Sequence, residues 1–292
     1  MIAGLFPGQG IPARTVLESL DENDAELATA SAVLGYDVRR KVAIAARRKG
    51  AMLPTSLAQP AIYTASVASF RRASADGHEY DFLAGHSLGE YVALVAAGML
   101  DFESGLRCVV ARAGAMQAAS RSAQGGMAAV LGLDLDAAED VARRAGVQVA
   151  NDNAPDQTVL AGSEQRLAEA AALVRARGGR SVLLEVSGPF HTVAMAPAEA
   201  PLRRALEGVQ VRAARTPVLS NVTARPYGDP GEVAELLVQQ LSARVRWRES
   251  LEWLWRRGVR RYEDLGPGRV VTGLAQRTFA ALEVDEEVAA GA

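Results

Sequence analysis

The stretch from Met127 to Val186 constrains the fold more than any other, because its hydrophobic rhythm switches between the strand and helix periods four times. MAAVLGL reads as a strand, DAAEDVARRAG as a helix closed by Gly146, VQVAN and QTVLAGS as two strands, EQRLAEAAALVRARGG as a helix, and RSVLLEVS as a final strand. The order β-α-β-β-α-β is the ferredoxin-like split βαβ pattern, which predicts a small subdomain inserted into a larger one.

The flanking sequence has a different character. Ile2 to Phe6 is a short apolar run stopped by Pro7, Gly8 and Gly10, a buried strand delivering a turn. Thr15 to Gly50 has helical spacing, and Thr55 to Ala73 predicts another helix with a start or kink near Pro60. Tyr80 to Ala84 reads as a brief strand and Leu88 to Ala97 as a helix, and strand, turn, helix is the order of a parallel α/β layer. That layer resumes after the insert with an Ala/Pro-rich helical segment, a strand around Pro217 to Ser220, a helix from Gly231 to Leu241, RRYEDLG, a turn at Pro267-Gly268 and the helix GRVVTGLAQRTF. The expected division is therefore 1–124 and 189–292 for the large subdomain and 125–188 for the insert, with the tail LEVDEEVAAGA loose.

Bulk charge narrows the partners. Lys plus Arg (32) nearly balances Asp plus Glu (34), so no overall field favours nucleic acid or a membrane surface. A single cysteine, Cys108, excludes an intramolecular disulfide, and with three histidines it leaves little material for a Cys/His metal site, so no metal is expected. No secretory signal opens the chain, and no apolar run approaches the ~18 to 20 residues that span a bilayer. A cytoplasmic setting is expected.

Within FLAGHSLGEYVAL, Ser87 sits between Gly85 and Gly89 in the G-x-S-x-G arrangement of a nucleophile elbow. A tight turn between strand and helix would hold Oγ clear of the backbone, and the helix start with the Leu88 N–H would face charge developing on a substrate oxygen. The same pentapeptide also suits a small residue in a turn, and an unassisted serine is a weak nucleophile, so a base is required. His78 lies in the polar loop ADGHEY and reads as solvated; His86 adjoins the serine and reads as packing or orienting the loop. His191, in EVSGPFHTVAM after the last strand of the insert, is the best candidate base. Arg112 sits in an apolar helical stretch, where a surface arginine is the usual reading; Cys108 reads as a small core residue.

With these residues in view, the chain resembles the malonyl-CoA:acyl carrier protein transacylases, including the discrete acyltransferases of polyketide synthases. The resemblance runs through FPGQG at 6–10, T-x-x-x-Q-P at Thr55 to Pro60, GHSLGE at 85–90, R-x-x-x-M at Arg112 to Met116, GGMAAVLG, AN-x-N-x-P at 150–155, GPFH at 188–191, SNVTA at 220–224, QL with VRW at 240–247, and LGPG at 265–268. It implies an α/β fold: an α/β-hydrolase-like large subdomain with a parallel sheet, carrying the ferredoxin-like βαββαβ insert. It implies Ser87 as acylated nucleophile, His191 as general base and then acid, Gln9 as an oxyanion donor beside the Leu88 N–H, and Gln240 as the orienter of His191 through its backbone carbonyl. Arg112 would grip the free carboxylate of the acyl group, Phe190 would limit room for an α-methyl branch, and Met116, Asn153 and His86 would complete the substrate cleft.

The implied reaction is a ping-pong transfer of malonyl from malonyl-CoA to the phosphopantetheine thiol of an acyl carrier protein, in fatty acid or polyketide biosynthesis. No cofactor is bound; CoA thioester is substrate and phosphopantetheine belongs to the carrier. The carrier is acidic, and Arg244, Arg246 and Arg248 in SARVRWRES form part of the densest basic group, a candidate docking face for a monomeric enzyme. The alternatives are a transacylase for another acyl group, an acyl-carrier-protein thioester hydrolase, and a silent docking module. Two departures from the family pattern stand out: Ile11-Pro12-Ala13 after FPGQG, and Arg244 where a proline precedes VRW.

Overall fold

The computed structural model describes residues 1–291. Along the chain run β1 (Ile2–Phe6), α1 (Ala13–Ser19), α2 (Ala25–Leu34), α3 (Val38–Ala46), α4 (Thr55–Ala75), β2 (Phe82–Gly85), α5 (Gly89–Ala96) and α6 (Phe102–Ala123). There follow β3 (Gly125–Leu131), α7 (Leu135–Ala145), β4 (Gln148–Ala154), β5 (Gln157–Ser163), α8 (Glu164–Ala176) and β6 (Arg180–Leu183). The chain closes with α9 (Glu199–Leu206), β7 (Val218–Leu219), α10 (Val233–Gln239), β8 (Val245–Arg246), α11 (Trp247–Arg256), β9 (Arg261–Asp264) and α12 (Val270–Gly291).

The first sheet has the order β7-β2-β1-β9 and every pairing in it is parallel. Parallel strands need helices on both faces. One face packs on a core built around α4, α5 and α6, including Tyr63, Leu88, Val92 and Leu106; the other is covered by α11 and α12 through Trp247, Leu251, Leu254 and Leu274. The helix α4 runs unbroken from Thr55, with Pro60 in its second turn rather than at its start.

The second sheet has the order β6-β3-β5-β4-β8. Its first four strands are antiparallel and carry the split βαβ order, with α7 and α8 packed over a core of Val130, Val141, Leu160, Leu167 and Val174. The fifth strand comes from elsewhere: Val245 and Arg246 pair in parallel with Asn151 and Asp152, so backbone hydrogen bonding continues from the insert into the segment leading to α11.

The tail is helical rather than loose, as α12 runs to Gly291. Glu286 accepts hydrogen bonds from Trp255 Nε1 at 2.5 Å and from Arg260 at 3.3 Å, and Leu282 packs against the Trp247 core. Those partners lie far away in sequence, so nothing local announced them. Among the described residues no helix is long and apolar enough to cross a membrane.

Candidate active site

Ser87 occupies the turn between β2 and α5 with φ +52°, in the left-handed region that a residue with a side chain adopts only under constraint. The flanking glycines have a steric cause. A Cβ on Gly85 would lie 1.9 Å from the Gly89 carbonyl carbon, and one on Gly89 would lie 2.3 Å from the Phe6 carbonyl oxygen. Asn221, just after β7, clamps the turn from outside: Ser87 N–H donates to its Oδ1 at 2.6 Å while its Nδ2 donates to Gly85 O at 2.7 Å.

His191 is buried, also left-handed at φ +59°, and its Nε2 lies 2.8 Å from Ser87 Oγ. Its Nδ1 lies 2.8 Å from the Gln240 carbonyl oxygen. A carbonyl can only accept, so the neutral ring carries its proton on Nδ1 and leaves Nε2 free to take one. Burial first, and then the charge of Arg112, push the imidazole down to about 3, which keeps it neutral at physiological pH.

Arg112 of α6 is wholly buried beneath this pair. Its Nη2 donates to Ser87 Oγ at 2.9 Å and to Gln240 Oε1 at 2.8 Å, and its Nη1 donates to Gln59 Oε1 at 2.9 Å. The Nε has no partner, and burial lowers the guanidinium from its ordinary value. Every acceptor it meets is neutral, and a buried cation in that state costs several kcal/mol. Such a site favours an incoming anion.

The cleft above Ser87 encloses about 230 Å³ between the C-terminal ends of β1 and β2 and the face of the second sheet. Gln9, Met116, Asn153, Phe190, His86 and His191 line it. Leu88, Arg112 and Gln240 are not part of this wall; they lie behind it, buried. Asn153 Oδ1 meets His86 Nε2 at 2.8 Å and His86 packs edge-on against Trp247 at 5.4 Å, so His86 braces the wall. His78 is exposed and paired with Glu263, and Cys108 is buried in the core. Among the described residues no cluster of His, Cys, Asp or Glu could hold a metal ion.

Four residues of the site escaped the sequence reading. Gln59 bridges Arg112 to Gln9, donating to Gln9 Oε1 at 3.2 Å; Asn221 clamps the elbow; Glu90 and Tyr227 meet each other directly beneath Gln240. Gln59, Glu90 and Asn221 lie inside quoted motifs, and their only signal was a polar residue embedded in an apolar surround.

The three arginines of SARVRWRES are each already paired. Arg244 meets Glu139 at 2.6 Å, Arg246 meets Glu249 at 2.5 Å, and Arg248 holds the buried Asp152 at 3.0 Å together with Glu252.

A strand–turn–helix serine, a histidine held by a carbonyl and a parallel sheet beneath them define the class of serine acyl-transfer enzymes. The chain belongs to the acyl transferase domain family, whose model matches residues 9–291. It is 37% identical to the malonyl CoA-acyl carrier protein transacylase of Salmonella typhimurium, over 99% of this chain and 97% of that one. It also superposes on the crystal structure of an acyl-carrier-protein S-malonyltransferase from Burkholderia pseudomallei with a TM-score of 0.88, at 37% identity, covering 95% of this chain and 92% of that one. A type II polyketide synthase acyl-carrier protein in complex with its malonyl-transacylase gives a TM-score of 0.84 at 36% identity, covering 95% of this chain and 92% of that one.

Proposed function

We propose that this chain transfers a malonyl group from malonyl-CoA to the phosphopantetheine thiol of an acyl carrier protein, by way of an ester on Ser87. The observation that carries this reading is Arg112: a buried guanidinium, met only by neutral acceptors, donating to the nucleophile's own oxygen. A carboxylate brought by the acyl chain would supply the missing countercharge through two parallel hydrogen bonds. A plain acetyl group could not.

In the first half-reaction Ser87 Oγ attacks the thioester carbon as its proton passes to His191 Nε2, and the carbonyl electrons move onto oxygen. Leu88 N–H, at a helix start where the first N–H groups lack a preceding carbonyl, and Gln9 would hold that oxyanion. Collapse of the intermediate breaks the C–S bond, and His191 returns its proton to the departing CoA thiolate. The carrier's thiol then repeats the sequence in reverse on the acyl-serine. Phe190 narrows the cleft beside His191, and one excluded methyl group is worth only about 1 to 3 kcal/mol of discrimination. The pathway is fatty acid or polyketide synthesis.

For the carrier we infer a surface around Arg244, Arg246 and Arg248. Two facts support it: β8 pairs with Asn151 and Asp152 at the edge of the cleft, and residues 244–261 hold seven arginines against the acids Glu249, Glu252. Arg248 also holds the buried Asp152, so Arg244 is the clean probe.

Intact-mass measurement of the protein offered malonyl-, methylmalonyl- and acetyl-CoA tests the reading. A malonyl adduct that forms fastest, discharges onto a carrier thiol and disappears in Ser87→Ala is expected. Adducts lost equally fast to water without any thiol would instead mark a hydrolase.

A further inference from the structure

Glu90, at the start of α5, is fully buried, and the acyl-transfer steps do not use it. Its partners are all neutral donors. Oε2 accepts from Gln240 Nε2 at 2.5 Å, while Oε1 accepts from Tyr227 OH at 2.5 Å and from Asn221 N–H at 3.1 Å. A helix that only needed filling at this point would carry an apolar side chain, since burying a carboxylate without a cation in contact costs free energy.

The arrangement makes sense through Gln240. Both hydrogens of its Nε2 are used, one on Glu90 and the other on Ser87 O at 2.9 Å. Its Oε1 is thereby turned toward Arg112 Nη2 at 2.8 Å. With the amide reversed, its NH₂ would meet the guanidinium donor to donor, and its oxygen would meet the Glu90 carboxylate acceptor to acceptor. An ionised Glu90 can only accept, so it forbids the reversed amide. A neutral group in its place can donate as well as accept, and forbids it no longer.

We propose that Glu90 is a positioning residue which, by locking the Gln240 amide, holds Arg112 where it can receive the acyl carboxylate and so sets the preference for carboxylated acyl groups. This rests on the malonyl-transfer reading and deepens it. Burial pushes the Glu90 carboxyl up to about 7 against the pull of Tyr227, Gln240 and Asn221, so its charge changes within the working range of pH. The titratable and charged groups around it are Tyr91 on its own helix, Arg112 from α6, Tyr227 beyond β7, and His191 across Gln240. Tyr91 and Tyr227 are raised above their ordinary values by burial and His191 is held at about 3, so Glu90 is the group among them that titrates near neutrality.

The test is the ratio of single-turnover Ser87 acylation rates with malonyl-CoA and acetyl-CoA from pH 5.5 to 8.5, probe settings of about 3 units around the expected inflection. The wild-type ratio should rise with pH through the Glu90 titration as the carboxylate forms. In Glu90→Gln it should be flat, and lower by about tenfold at the alkaline end, the scale of losing a hydrogen bond to a charged group. Tyr227→Phe removes a donor that favours the ionised form, so its inflection should move to higher pH while the plateau is kept. A Glu90→Gln profile that matches wild type overturns the proposal. If that variant does not fold, an unmoved inflection in Tyr227→Phe does so alone. Failure of wild type to acylate Ser87 at all would instead sink the malonyl-transfer reading.

Discussion

Arg112 and Arg248 are both drawn out of solvent, the first completely and the second with 22% of its side chain exposed, yet they live under opposite rules. Arg248 meets the buried Asp152 through Nε at 3.0 Å and also reaches Glu252; burial pulls its guanidinium down, and the two carboxylates more than offset this and raise it. Arg112 meets two amide oxygens, a hydroxyl and, at 5.7 Å, the ring of Tyr91, and burial leaves it lowered. The nearest carboxylate in its network, Glu90, is reached only through Gln240. The difference separates structure from function. An arginine that finds its countercharge within the fold helps hold two elements together, whereas one denied it is, on the proposed reading, reserved for a charge that arrives with the substrate.

The sharpest way to break this contrast is Arg112→Ala. Malonylation of Ser87 should fall by ~1,000-fold, about 4 kcal/mol, while acetylation falls far less, measured as single-turnover acylation followed by intact mass. Malonyl preference surviving that change would refute the role. The same variant removes a positive charge that depresses His191, second only to burial, so the acid limb of its acetylation profile should move to higher pH.

Arg248→Ala should leave Asp152 buried without a cation and cost about 3 kcal/mol in urea unfolding, the low end for a broken buried pair because Arg248 is partly exposed. Unchanged stability would mean that the pair does not tie α11 to the insert. The smallest effect belongs to Arg244→Ala. Its surface pair with Glu139 predicts under ~1 kcal/mol of stability, together with a KM for the carrier that rises a few-fold while CoA kinetics hold. Carrier kinetics that stay flat would remove this face from the docking surface.

Much of this frame was legible in the sequence, for physical reasons that differ by element. The insert could be read because its period switches at each strand–helix boundary; β3 and β6 end early, at Leu131 and Leu183, and after β6 the Leu184 N–H still bonds Met127 O as the chain turns along the cleft. The strand β8 could not be read, since two residues carry no periodicity and its pairing with β4 spans about ninety residues of sequence. Ser87 and His191 stood out by chemistry, the latter as one of three histidines. The polar network behind them did not. Gln59 and Gln240 reach Arg112 from 53 and 128 residues away, and no local pattern encodes which buried amides will share a guanidinium.

Both side chains proposed to react hang from backbone in the left-handed region, Ser87 at φ +52° and His191 at φ +59°. Each such residue costs the native state roughly 1 to 2 kcal/mol that a glycine would not. A lineage of this chain screened for heat resistance alone would therefore find some of its easiest gains at the proposed nucleophile and base. Thermal selection without an activity check would tend to deliver a sturdier and inert protein, so any stabilising campaign should hold these two positions fixed and look for its gains elsewhere.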